Sequence, residues 1–114
     1  MEMEIKRLLH SLEVTANYTG FRFTILACKL VLEDESRLLF VKNEVYAEIA
    51  RVCDCDEATI ERNIRTIVHR AWERQPKRLM EISDCALTEE PAVAEFIDYL
   101  TTYLQRTELA GSAR

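Results

Sequence analysis

Apolar residues recur every three or four positions along almost the whole chain, the spacing of a helix that buries one face. Ile5, Leu8, Leu9 and Leu12 predict a first helix over about residues 3–13. GFRFTILACKLVLE predicts a second over about 20–33. It is apolar on most sides, with Arg22, Lys29 and Glu33 sharing one polar stripe, so it belongs at the centre of the domain. DESRLLFVK turns the chain, with room for one short helical turn. Asn43 is placed to cap a third helix at about 44–53, with Val45, Ile49 and Val52 facing inward. Asp56 is placed to cap a fourth, about 57–75, which Pro76 stops. A short piece near 77–82 follows. Thr88, Glu89, Glu90 and a first-turn Pro91 then start a last helix to about 106. Its inward residues are Val93, Phe96, Ile97, Leu100 and Leu104. The predicted fold is all-α, about six helices.

Composition narrows this little. A chain of 114 residues is one domain, residues 1–106, large enough to bury a real core; the end, 107–114, is expected to be disordered. Two glycines and two prolines are too few for the tight turns of an all-β fold. No run approaches the roughly 18 apolar residues of a membrane span, and MEMEIKRLLHSLEV is an amphipathic helix rather than a secretory signal. The protein is expected inside the cell, with Cys28, Cys53, Cys55 and Cys85 reduced. Zinc pairs usually have two to four residues between ligands, whereas Cys53 and Cys55 have one. His10 and His69 stand alone, so the cysteines read as small buried thiols and no metal is expected. There is no P-loop, glycine-rich phosphate loop or GxSxG, so neither catalysis nor a cofactor is expected.

One stretch carries more chemistry, EIARVCDCDEATIERNIRTIVHRAW. On a wheel of about 100° per residue, Ile60, Ile64, Ile67, Val68, Ala71 and Trp72 gather on one side of the fourth helix. The far side carries Thr59, Arg62, Thr66 and His69, flanked by Asn63, Arg65 and Arg70. Ala50 is small enough for a following helix to cross closely. Asp54, four residues on, sits where a helix-turn-helix needs a left-handed residue, which Asp tolerates better than most. Ile60 supplies the contact that seats the second helix. The spacing fits a helix-turn-helix over about 44–75, whose second helix can lie in a major groove.

Charge agrees. Residues 58–78 hold six basic residues against two acidic, net +4, whereas residues 79–105 hold six acidic and none basic. The overall net charge of −5 therefore conceals a local basic surface. Attraction to phosphate depends on the field within a Debye length, about 8 Å at physiological salt, so total charge does not forbid it. A solvated helix face with clustered arginines is the plainer alternative.

GFRFTILACKLVLED and VYAEIARVCDCDEATIERNIRTIVHRAW closely resemble the DNA-binding effector domain of the sporulation master response regulator family, stage zero sporulation protein A. The likeness rests on Gly20-Phe21, Tyr46 with Ile49-Ala50, Ile60-Glu61-Arg62 with Ile64-Arg65, and Ala71-Trp72. LLHSLEV and EFIDYL extend it over most of residues 5–106. The resemblance implies a six-helix, winged-helix-like DNA-binding domain without a clear wing, acting on short tandem promoter sites in double-stranded DNA. It also implies a homodimer on DNA, partly through the last helix, and a contact with RNA polymerase. Glu61 would accept from a cytosine amino group, and Arg62 and Arg65 would reach guanine edges or phosphates. Lys42, Asn43, Arg74, Lys77 and Arg78 are phosphate candidates on charge alone, with Arg70 beside them. Each has a structural alternative: Glu61 pairing with Arg65, His69 as plain helix surface, Arg70 and Arg74 complementing the helix's carboxyl end, Asn43 as a cap.

Two departures stand out. Thr59 and Thr66 occupy positions where the family carries arginine and histidine, which weakens direct reading of the family's usual site but not duplex binding as such. The chain also starts a few residues before the first helix, leaving no phospho-receiver domain within it. It reads either as an excised effector or as a free-standing one. The expectation is a bacterial, cytoplasmic, nucleoid-associated transcription regulator. The rival is a protein-interaction module of the same fold that has lost DNA recognition, motivated by Thr59, Thr66 and the acidic 79–105 segment.

Overall fold

The second helix does sit at the centre. In the computed structural model, which describes residues 1–112 and side chains to residue 107, six α-helices surround one apolar core. They are α1 (Glu2–Ser11), α2 (Thr19–Glu33), α3 (Ala47–Cys53), α4 (Glu57–Arg74), α5 (Pro76–Ser83) and α6 (Val93–Ser112). Among the described residues there is no strand, hence no wing. α2 packs against α1, α3, α4 and α6, so residues on several of its sides, from Phe21 to Val31, are buried. Thr24, fully buried on α2, donates its hydroxyl to Gly20 O at 2.7 Å, and buried Thr101 on α6 donates to Ile97 O at 2.9 Å. Both polar groups thus enter the core satisfied.

α2 and α4 cross closely. A Cβ on Gly20 would lie 2.7 Å from Ile67 Cγ1 and 2.8 Å from the Asn63 carbonyl carbon. Absence of a side chain there lets the two backbones touch. From the other side, α6 buries Val93, Phe96, Ile97, Leu100 and Leu104, all five of its expected inward residues, against α1, α2, α4 and α5.

Several local expectations change. Residues 35–40 form a 3₁₀ helix that runs through Val41 into a single π turn, Lys42–Tyr46, and then α3. Because Val41 is already helical, the chain never breaks before Asn43, and Asn43 lies inside the helical path instead of capping it. A π turn holds more residues than an α turn, and here it carries adjacent Val45 and Tyr46 into the core. The rotation leaves Val52, expected inside, 60% exposed. Trp72 is half-buried at the margin of the core. Pro76 ends α4 but also opens α5 at its first position, where its missing N–H costs nothing.

Pro91 precedes the last helix, which begins at Val93 and is capped from within: Glu95 Oε1 accepts the Ala92 N–H at 2.9 Å. α6 continues to Ser112, beyond the expected end near 106; of the tail expected to be disordered, residues 113–114 lie outside the described residues. The cysteines are all free, yet only Cys28 is fully buried; Cys53 and Cys55 are half-buried and Cys85 is exposed. Burial pushes the Cys28 thiol up to about 12.

Candidate nucleic-acid interface

Three residues separate α3 from α4. Asp54 ends α3 in the left-handed conformation (φ 53, ψ 52), and the N–H groups of Asp54 and Cys55 both return to Ala50 O, the latter at 3.1 Å. Asp56 is extended and accepts the Thr59 N–H at 2.7 Å, capping α4. The Thr59 hydroxyl and backbone N–H, in that order, hold the Asp56 carboxyl below the usual carboxylate range. Ile60, Ile64, Ile67, Val68 and Ala71 are fully buried, which anchors one face of α4 in the core and obliges the opposite face to point outward.

That outward face carries the central predicted residues. Arg62 is exposed, and its guanidinium has no hydrogen bond or ion pair among the described residues, although Asp56 feels its charge. Arg65 pairs with Glu61 one turn before it, so the carboxylate and guanidinium form a unit. Thr66 is exposed and donates its hydroxyl to Arg62 O at 3.2 Å. Thr59, half-buried, has its carbonyl taken by Asn63 Nδ2 at 2.8 Å. His69 is exposed, with Nδ1 2.7 Å from Glu90 Oε1 and Nε2 2.9 Å from Glu73 Oε1. The bond with Glu90 is the main cause that raises the imidazole's pKa, with the Glu73 charge next.

The flanks differ from one another. Exposed Lys42 lines a depression of about 440 Å³ together with Tyr46, Asp56, Glu57, Ala58 and Glu61, beside the start of α4. Asn43, next in the chain, is also exposed. Burial pushes the Tyr46 phenol up to about 12, Glu61 adding to the shift and Arg65 opposing it. Arg74 and Lys77 are exposed at the far end, without ion pairs among the described residues. Twelve residues separate Arg74 from Arg62, about 18 Å along the helix and about a third of a turn around it.

Two predicted arginines turn into the body. Arg70 lies 5.3 Å over the Tyr18 ring with its Nε buried and unpaired. Arg78 donates to Ser11 Oγ at 3.1 Å and stands 5.4 Å over the Tyr103 ring, stapling α5 to α1 and α6. Both read as framework cations, a placement that charge counting could not detect because their partners lie far away in sequence. The pairing of Glu73 and Glu90 with His69 was not among the sequence expectations. The i, i+4 spacing of Glu73 from His69 was a usable signal, whereas nothing local marks Glu90.

An α-helix about 10–12 Å across fits a major groove of about 12 Å. A short-turn helix pair whose second helix is seated by isoleucines and presents a polar outer face has the arrangement of a helix-turn-helix. The match of a family profile is specific: the chain belongs to the family described as sporulation initiation factor Spo0A C terminal, which matches residues 5–104. Those residues run from the first buried side chain of α1 to the last one described in α6, so the helical core of the described residues is covered. The family is the DNA-binding effector domain of a transcription regulator.

Proposed function

We propose that this chain binds double-stranded DNA with sequence preference by placing the first turns of α4 in the major groove. The observation that carries the reading is Arg62, exposed on the outward face with no ion pair among the described residues while Arg65 and Thr66 are internally satisfied. Arg62 reads a base edge, guanine being the natural partner for a guanidinium. Glu61 accepts from a cytosine amino group, and its pairing with Arg65 orients both before DNA arrives. Thr59 and Thr66, short and partly engaged, contribute methyl or hydroxyl contacts in place of long-range donors. Lys42 and Asn43 on one flank, and Arg74 and Lys77 on the other, meet phosphates. His69 adds charge at the carboxyl half of the helix. Arg70 and Arg78 stay with the protein framework.

The same reading makes the protein a bacterial transcription regulator working at the nucleoid in the cytoplasm, on tandem sites as a homodimer and in contact with RNA polymerase. No helix of the described residues is long and apolar enough to cross a membrane. Duplex binding measured over a range of salt tests the proposal. Affinity is expected to fall with salt, the logarithmic slope being about −0.9 per phosphate neutralised. A protein that shifts no genomic fragment, yet captures a protein partner, belongs instead to the interaction-module class.

A further inference from the structure

Both ring nitrogens of His69 face a carboxylate: Nδ1 meets Glu90 at 2.7 Å and Nε2 meets Glu73 at 2.9 Å. A neutral imidazole has one N–H, so one nitrogen would oppose its lone pair to a carboxylate oxygen at hydrogen-bond distance. The imidazolium, with two N–H groups, satisfies both. These are the charged groups that face the ring, Glu73 from α4 itself and Glu90 from the segment joining α5 and α6. Arg65, one turn earlier, is occupied by Glu61.

Glu73 is a local neighbour, but Glu90 lies 21 residues further along the chain. Its contact ties the irregular, acidic segment between Ser83 and Val93 to the outward face of α4. The other end of that segment is held elsewhere, Asp84 pairing with Arg106 of α6 at 3.3 Å. The segment is therefore pinned at both ends, and one pin needs a proton.

We propose that Glu90 is a positioning residue of the DNA-binding face: it holds His69 as an imidazolium, docks the acidic α5–α6 segment against α4, and couples duplex binding to one proton. The coupling rests on the DNA-binding reading above; the docking does not. With the proton, the three side chains sum to one negative charge; without it, to two. Phosphates approaching this end of α4 are repelled less by the protonated cluster, so a duplex favours the protein that holds the proton. Affinity accordingly declines as pH rises through the titration of His69. The docking has the same sign. A group whose pKa is higher in the folded state stabilises fully below its unfolded value, and that contribution disappears as pH climbs past the folded one.

The experiment follows the histidine ring resonances of the full chain by NMR from about pH 5 to about pH 9, the range that brackets imidazole titration. Anisotropy titrations over the same range use a duplex recovered by selection from a random pool. His69 is expected to titrate above the ordinary histidine value and to drop in Glu90→Gln. Affinity is expected to decline roughly two- to fivefold through the same midpoint, as for the loss of one exposed ion pair. In His69→Gln the decline vanishes, whereas in His10→Gln it persists. An unmoved His69 midpoint in Glu90→Gln overturns the docking. A pH dependence that survives intact in His69→Gln overturns the coupling. If no duplex binds at any pH, the DNA-binding reading fails and the coupling with it, while the ring titration still decides the docking.

Discussion

Arg62 and Arg65 sit one turn apart on one helix face, but a single ion pair separates their roles. The Arg65 guanidinium is tied to Glu61; that of Arg62 has no partner among the described residues. Arg62→Ala should therefore cost on the order of 1–3 kcal/mol of discrimination between preferred and altered duplexes, measured by competition binding. An equal loss on all sequences would make Arg62 a phosphate contact. Glu61→Ala separates folding from reading: an exposed i, i+4 pair contributes about 0.3–0.5 kcal/mol to the helix, so melting should barely shift while base preference changes. Asp56 works differently, by satisfying the first turn of α4. Asp56→Ala should lower Tm by several degrees in calorimetry, and an unchanged Tm would show that the cap is redundant. The outward placement of Arg62 and Arg65 was legible because the wheel needs only local spacing. The fates of Arg70 and Arg78 were not, since Tyr18, Ser11 and Tyr103 reach them only after the helices pack.

The helices themselves were largely readable, because period and burial describe the same fact. α1, α2 and α4 begin and end within a residue or two of expectation, and α4 buries five of the six residues assigned to its core face. Errors concentrate at element boundaries, where a cap residue can work only if the backbone leaves the helix. Asn43 had the right side chain on the wrong backbone, and Val52 lost its place in the core when the π turn rotated the following residues. Gly20 had been noted only as part of the family motif; its structural reason is the α2–α4 contact. Gly20→Ala should destabilise the fold by about 1–3 kcal/mol in denaturant unfolding, the range for overpacking, with a broadened or weakened DNA shift because α4 is displaced. Wild-type stability in that variant would mean the helices separate without cost.

Over the whole molecule, the radius of gyration of 13.4 Å is that of one domain of about 100 residues, in line with the single core. The basic surface is thinner than counting suggested. Of the six cations in residues 58–78, Arg62, Arg74 and Lys77 have no ion pair among the described residues, Arg65 is paired, and Arg70 and Arg78 serve the framework. The salt slope of binding should therefore be shallow, roughly −2 to −4 for one domain, with Lys42 included among the contacts. A slope near zero would remove the phosphate contacts. Stability should fall on the acid side. Hydrogen bonds from Ser36 lower Asp34, those from Thr59 lower Asp56, and the bond from Arg51 lowers Glu48. Groups with depressed folded values stabilise above their unfolded values and lose that contribution as pH drops through the folded ones. Thermal melts below about pH 4 should show the decline, and a flat profile would mean these bonds persist in the unfolded chain.

Period, capping chemistry and charge order are properties of neighbours in sequence, and they were enough to specify an all-α domain, its helix pair and the face that points outward. Contacts between residues far apart along the chain depend on how the helices cross, and no local pattern encodes that crossing. The burial of Arg70 on Tyr18, the docking of Glu90 on His69 and the touching backbones at Gly20 belong to this second group. Each arises because the core, once closed, brings distant side chains within the few ångströms over which hydrogen bonds and packing act.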